Sequence, residues 1–177
     1  MAKGISKEST AFENEVLKVG QAYKAAGLAD IEKVDPPTRT FGHGRSLRTI
    51  YLVNPFLDII GTWTEMGGKT LQLECKVTND PTLSLGYIRE DGEASSSNGI
   101  TAAQIQAGLR WSAAGAACAY LWRFDNQTRL VTPSMCVAQL KHRKSFRWAD
   151  AHPVPQGTGF ILIDFLALLR RIHKPKP

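Results

Sequence analysis

The sequence has no long apolar run, so a helical membrane protein is not expected. None of its stretches approaches the ~20 apolar residues that a membrane-spanning helix needs, and the longest candidate, residues 159–169, is interrupted by Asp164. The first eight residues are polar and carry no apolar segment of the kind found in a secretory signal. We therefore expect a cytoplasmic protein without membrane contacts.

Cysteine and histidine are also scarce. The three cysteines, Cys75, Cys118 and Cys136, are odd in number, far apart and set in apolar contexts. This pattern predicts buried reduced thiols and argues against a disulfide framework. None of the four histidines stands at metal-ligand spacing from a cysteine, so a zinc site is not expected.

Net charge is almost absent from the first three quarters of the chain. Of the 22 basic and 16 acidic residues, 8 basic and 2 acidic follow Ala138, which leaves 14 of each before it. The whole net charge of +6 therefore lies in residues 139–177. A basic terminal segment favours a polyanion or an anionic membrane surface as partner, and charge alone does not choose between them.

What is present is enough for one globular domain of the α/β class. The length of 177 residues and the hydrophobic content of 43% are ordinary for a single core. We predict a flexible polar tail over residues 1–8 and one domain over residues 9–177. Apolar periodicity and turn signals predict helices over about 10–26, 101–114 and 161–172, strands over 49–53, 56–63, 69–78, 117–124 and 130–137, and a loop over 79–99. This order fits a mixed β-sheet flanked by helices.

The second strand of a predicted β-hairpin carries the chemistry. Side chains alternate along a strand, so Glu74 and Lys76 share one face while the residues between and beside them are apolar. Gly67-Gly68 is a turn signal that joins this strand to the one beginning near Asp58. In the correct register Asp58 lies beside Glu74. Two neighbouring carboxylates repel each other unless a cation lies between them, and hard oxygen ligands suit Mg²⁺ or Mn²⁺. With a lysine nearby, such a pair is equipped for metal-assisted phosphodiester hydrolysis.

These residues resemble a known nuclease motif. The spacing resembles the PD-(D/E)xK motif, because Asp58 is followed by fifteen residues and then by Glu74-Cys75-Lys76. Leu57 stands in place of the proline of the motif. Other segments resemble the Holliday-junction resolvases of the RecU and Hjc types. They are Phe12-Glu13-x-x-Val16, Ile31-Glu32-Lys33 before Pro36-Pro37, and Ile100-x-x-x-Gln104-Ile105.

The resemblance implies a restriction-endonuclease-like α/β fold and a role for each matching residue. Asp58 and Glu74 would bind the divalent metal, with Glu13 joining them directly or through water. Lys76 would orient or activate the attacking water, and Gln104 would position the scissile phosphate or a water, with Gln106 as the alternative. The implied protein is a homodimeric resolvase that cuts four-way DNA junctions with Mg²⁺, for which Mn²⁺ can substitute, close to the nucleoid. A phage or mobile element would be a suitable origin.

Two basic segments are candidate DNA contacts. Lys141, Arg143, Lys144 and Arg147 alternate with aromatic residues, as in a DNA-facing loop. Arg39, Arg45 and Arg48 lie in a loop before the hairpin and could grip phosphates. Both sets could equally be solvated surface charge.

Each proposed site residue also has a plainer interpretation. Completing a helix capping box with Thr10 could be the sole role of Glu13. Gln104 could likewise complete a capping box with Thr101 and do nothing more. Glu74 and Lys76 could be an ion pair on an exposed strand, contributing less than ~1 kcal/mol. Cys75 is expected to pack in the core. The alternative functions are another nuclease of this superfamily, a non-catalytic DNA-binding module with a degenerate site, or a basic protein without a DNA role.

Overall fold

The computed structural model describes residues 3–35, 38–41, 48–51, 57–95, 98–159 and 163–173. Four helices and ten strands lie in these ranges. The helices are α1 Lys3–Ala25, α2 Ala102–Ala113, α3 Pro133–Leu140 and α4 Phe165–His173. The strands are β1 Asp30–Lys33, β2 Thr38–Phe41, β3 Arg48–Tyr51, β4 Ile59–Trp63, β5 Lys69–Val77, β6 Thr82–Ser84, β7 Ala117–Phe124, β8 Gln127–Val131, β9 Ser145–Arg147 and β10 His152–Pro153.

Six strands form one mixed sheet in the order β1-β4-β5-β7-β8-β10. Only β5 and β7 pair in parallel, with α2 in the connection between them, because parallel neighbours require a long crossover. The expected architecture, a mixed β-sheet flanked by helices, is confirmed. The short strands β2 and β3 pair with each other, and β6 pairs with β9.

The predicted hairpin is confirmed. β4 and β5 are antiparallel, with Ile59 opposite Leu73 and Ile60 opposite Gln72. The turn ends in Gly67 and Gly68, both with positive φ, a backbone conformation that favours glycine. This register continues to Asp58 opposite Glu74 just beyond the end of β4.

Apolar side chains cover both faces of the sheet. Leu71, Leu73 and Cys75 of β5 pack against α1 and α4 in one core. The opposite face has a second core, built from Leu57, Leu83, Leu85, Ile100, Ile105, Tyr120, Trp122, Val131, Cys136, Phe146 and Ala151. The three cysteines are buried free thiols, as predicted.

Several predicted boundaries differ from the structure. α1 begins at Lys3 and so includes most of the segment expected to be a flexible polar tail. Residues 3–9 contain no proline that would stop a helix there. The strand predicted over 130–137 is wrong beyond Val131. Thr132 accepts a hydrogen bond from the Met135 amide, and Pro133 occupies the first turn, so α3 begins there.

Other differences concern short strands and the last helix. β6 falls in the segment predicted to be a loop, and β1 and β9 lie where no strand was predicted. α4 begins at Phe165, four residues after its predicted start, because Asp164 Oδ1 accepts a hydrogen bond from the Ala167 amide at 2.9 Å and caps the helix. No helix within the described ranges is long and apolar enough to cross a membrane.

Candidate active site

Asp58 and Glu74 meet where the chain enters β4. The Asp58 amide donates to Glu74 Oε2 at 3.4 Å, and the preceding amide, that of Leu57, donates to Gln72 Oε1 at 3.3 Å. These two amides lie just outside the hydrogen-bonded ladder of β4 and β5. They donate to side-chain oxygens of β5, where amides inside the ladder donate to backbone carbonyls. The structure thus brings the two predicted carboxylate residues together.

Glu74 is buried, with 1% of its surface exposed. Its Oε1 atom lies 2.6 Å from Lys76 Nζ and also accepts a hydrogen bond from Gln104 Nε2. An ordinary surface ion pair on an exposed strand is therefore the wrong interpretation of Glu74 and Lys76. The polar face of β5 is buried because the second core covers it.

Gln104 completes the capping box considered for it and also contacts Glu74. Its Oε1 accepts from the Thr101 amide at 2.9 Å, and Thr101 accepts in return from the Gln104 amide, so the capping box exists. The Tyr120 hydroxyl donates to the Gln104 carbonyl at 3.0 Å. The cap and Tyr120 fix the first turn of α2. The side-chain Nε2 of Gln104 is then directed at Glu74. Gln106 is exposed and makes no comparable contact with Glu74 among the described residues.

Glu13 does not complete a capping box, because Thr10 lies inside α1 and not at its start. Its Oε2 atom lies 2.7 Å from Lys33 Nζ, at the end of β1. Within the described ranges, no three His, Cys, Asp or Glu side chains are grouped closely enough to hold a metal ion. Glu13 therefore stands apart from the Asp58–Glu74 pair, as the neighbour of a lysine.

The electrostatics of the pair are unfavourable without a cation. Burial, together with the nearby charge of Asp58, raises the pKa of Glu74 to about 8 against the opposing effect of Lys76. The hydrogen bond from Lys33 to Glu13 raises the pKa of Lys33, with Asp35 and Asp58 adding to it. Two adjacent carboxylates, one of them desolvated, fit the donor chemistry of Mg²⁺, which would relieve both penalties.

The raised pKa of Glu74 predicts a stability that depends on pH in the metal-free protein. The folded state holds a proton that the unfolded state releases near the ordinary glutamate pKa of 4.5, so stability falls as pH rises towards about 8. We expect the Tm of wild type to fall by roughly 2–4 °C per pH unit more than that of Glu74→Gln between about pH 5 and 8. Thermal unfolding in chelator measures this, and added Mg²⁺ should restore the Tm at pH 8.

Glu93→Gln is the matched control for this experiment, because Glu93 is an exposed residue of a turn. Its pH dependence should follow that of wild type. Equal slopes for wild type and Glu74→Gln would contradict the burial argument.

Sequence reasoning missed two residues of this region, Lys33 and Gln72. Gln72 is fully buried and holds the Leu57 amide, while its own Nε2 has no hydrogen-bond partner in the part of the chain that the structure describes. Its position one pleat before Glu74 on the same face was the available signal. The sequence analysis named Lys33 only within Ile31-Glu32-Lys33, the segment that resembles one in the resolvases. Nothing in its local sequence predicts that it lies near Glu13.

The predicted DNA contacts are only partly described. Lys141, Arg143, Lys144 and Arg147 are all exposed. Lys144 Nζ lies 2.7 Å from the Tyr87 hydroxyl and 4.0 Å from the centre of its ring, and Arg143 lies 3.9 Å from Asp150. Arg45 and the side chains of Arg39 and Arg48 lie outside the described residues.

The backbone joins this basic segment to the site. The Leu85 amide donates to the Lys144 carbonyl at 2.9 Å, and Gly86 donates to the Ile100 carbonyl at 2.7 Å. Ile100 immediately precedes Thr101, the cap of α2. A continuous set of hydrogen-bonded segments therefore runs from Lys144 to the turn that carries Gln104.

No protein-family model matches the sequence, and neither does any curated protein sequence. Among solved structures, the chain is similar to the 1.6 Å structure of Archaeoglobus fulgidus Hjc, a Holliday junction resolvase from an archaeal hyperthermophile. The two are 16% identical, and the match covers 81% of this chain and 94% of the other with a TM-score of 0.47. This is a distant likeness of backbone arrangement, and it assigns neither an activity nor a substrate.

Proposed function

We propose that the protein is a Mg²⁺-dependent, structure-selective DNA endonuclease that resolves four-way junctions. The observation that carries the proposal is the buried Glu74 carboxylate, which Asp58, Lys76 and Gln104 surround. A desolvated carboxylate beside a second one is costly, and a divalent cation is the partner that turns this arrangement into a favourable one.

The side chains divide the reaction between them. Asp58 and Glu74 would hold the metal ion, which supplies charge to stabilise the transition state of hydrolysis. Lys76, which is one fifth exposed next to Glu74, would orient the attacking water. Gln104 fixes the Glu74 carboxylate through a rigid helix turn and so limits its movement. The bond that would break is the one between phosphorus and the leaving sugar oxygen, which lies opposite the incoming water.

Substrate selection would depend on cations outside the acidic centre. The exposed segment with Lys141, Arg143, Lys144 and Arg147 is joined by backbone hydrogen bonds to the residues before the α2 cap. This connection supports a role for its positive charge on the approach to the site. Contacts to phosphates give affinity without reading sequence, so selectivity for a junction would come from its shape. Paired nicks in a symmetric junction require two sites related by a two-fold axis, so the active form is proposed to be a homodimer.

Cleavage of a synthetic four-way junction tests the proposal. With Mg²⁺ or Mn²⁺ we expect paired nicks near the branch point, no product in chelator, and much slower cutting of a linear duplex of the same sequence. Products are separated on a denaturing gel at matched salt, because DNA affinity varies steeply with salt. Equal cutting of both substrates would favour a less selective nuclease, and tight junction binding without metal-dependent cutting would favour a non-catalytic binding module.

A further inference from the structure

Gln72 lies beside the candidate site without a part in the proposed reaction. It stands on β5, one pleat before Glu74, and none of its surface is exposed. A side chain buried to this extent does not touch DNA or the attacking water. Gln72 instead reaches the backbone just before Asp58, where its Oε1 accepts a hydrogen bond from the Leu57 amide at 3.3 Å.

The backbone around Asp58 is held at three points. The Leu57 amide donates to Gln72, and the Asp58 amide donates to Glu74 Oε2 at 3.4 Å. The Asp58 carbonyl accepts from the Val34 amide at 2.8 Å. Asp58 precedes the first residue of β4, so these contacts, and not the regular ladder of the sheet, determine where it lies.

The contact from Gln72 differs from the contact from Glu74 in its dependence on charge. A carboxylate oxygen that takes up a proton or a metal ion is a weaker acceptor, so the hydrogen bond from the Asp58 amide to Glu74 varies with the state of the site. The side chain of Gln72 is neutral and does not titrate. Its hydrogen bond to Leu57 therefore stays the same whether Glu74 is charged, protonated or bound to a cation.

A role in the core alone explains Gln72 less well. The Leu57 side chain is already fully buried in the second core, and apolar packing of this kind needs no glutamine. Glutamine is also an unfavourable choice there, because its Nε2 has no hydrogen-bond partner among the described residues. What it adds is direction, since a hydrogen bond fixes the orientation of the peptide group at Leu57, one residue before Asp58.

We propose that Gln72 is a positioning residue that holds Asp58 beside Glu74 through the Leu57 amide. The inference rests on the proposed function for its purpose, because a metal ion bound by two carboxylates requires that they be held in a fixed relation. The hold on the backbone itself requires neither metal nor DNA and is measured without them.

Hydrogen exchange of single backbone amides, followed by NMR in the metal-free protein, tests the hold directly. Gln72→Met keeps the length of the side chain and removes the acceptor. We expect its Leu57 amide to exchange about tenfold faster than in wild type, the effect of one lost hydrogen bond, and the Asp58 amide to exchange faster as well. Gln72→Glu retains an acceptor oxygen and should restore the protection of both amides.

Metal binding measures the consequence for the site. We expect Gln72→Met to bind Mn²⁺ about tenfold more weakly than wild type, the scale for loss of a group that orients a metal ligand. Thr128→Val is the matched control, because it removes another buried polar group from the same sheet, on β8. It should change neither the exchange of the Leu57 amide nor the affinity for Mn²⁺.

The assignment of Gln72 is overturned if Gln72→Met leaves the Leu57 amide as well protected as in wild type. It is equally overturned if protection falls throughout the sheet, or if the variant matches the Mn²⁺ affinity of a wild type that binds the ion, because Gln72 then serves only the fold. A wild type that neither binds Mn²⁺ nor cuts the junction overturns the nuclease function instead, while the exchange rates still show whether Gln72 holds Asp58.

Discussion

Asp58→Asn is expected to reduce junction cleavage by a factor of about 100 or more without unfolding the protein. The substitution keeps the shape of the side chain and leaves the Asp58 amide free to donate to Glu74 Oε2. It removes one of the two charges proposed to hold the metal, and metal stabilisation of the transition state amounts to several kcal/mol. Initial rates of junction nicking at saturating Mg²⁺ measure the loss.

Lys76→Met should lower the same rate by a similar order, because the charge that faces Glu74 Oε1 at 2.6 Å is lost. Its effect should appear mainly in kcat, since the proposed role of Lys76 is to act on the attacking water. Asp80→Asn is the control, as Asp80 is an exposed residue shortly after β5, and it should cut like wild type. If Asp58→Asn cuts as fast as wild type, the site has been placed on the wrong residues.

Gly61→Val is expected to destabilise the fold by about 2–3 kcal/mol, within the usual range for overpacking. Gly61 lies in β4 opposite Ile31 of β1. A Cβ at this position would stand 2.2 Å from the Asp30 carbonyl oxygen and 2.8 Å from the Ile31 Cα. Both are backbone atoms, so the clash is relieved only by moving β1 away from the sheet.

Displacing β1 also has a functional consequence. The Val34–Asp58 hydrogen bond and the Lys33–Glu13 pair both depend on the position of this edge strand. Urea unfolding measures the stability, with Thr62→Val as the control, because Thr62 is exposed on the same strand and valine suits a strand. A Gly61→Val protein as stable as wild type would show that β1 is not held as closely as the structure indicates.

The candidate site was predictable from sequence where one hairpin carries it. Alternation along β5 placed Glu74 and Lys76 on one face, and the Gly67-Gly68 turn fixed a register that brings Asp58 opposite Glu74. These are local rules with a period of two residues, and they hold whatever the rest of the chain does. The capping box of Gln104 was visible for the same reason.

Long-range contacts were not predictable in this way. The pairing of β6 with β9 joins segments more than sixty residues apart, and neither three-residue strand has a pattern that identifies its partner. α3 was predicted as a strand because residues 130–137 are apolar, although Thr132 and Pro133 form a helix start. Whether the apolar residues after Val131 continue a strand or begin a helix depends on the helix cap that Thr132 forms.

The sequence by itself determined the hairpin, its polar and apolar faces and the location of the net positive charge after Ala138, because these follow from order along the chain. Only the tertiary structure decided that the polar face of β5 is buried, that Lys33 and not a capping box is the partner of Glu13, and that Gln104 reaches Glu74. The pairing of Lys33 with Glu13 depends on β1 lying beside α1. The burial of β5 and the reach of Gln104 depend on residues distant in sequence, such as Leu57, Ile100 and Tyr120, which pack over the face that carries Glu74. The same packing gives Glu74 its raised pKa, because desolvation is a property of everything around a carboxylate and not of its neighbours in the chain.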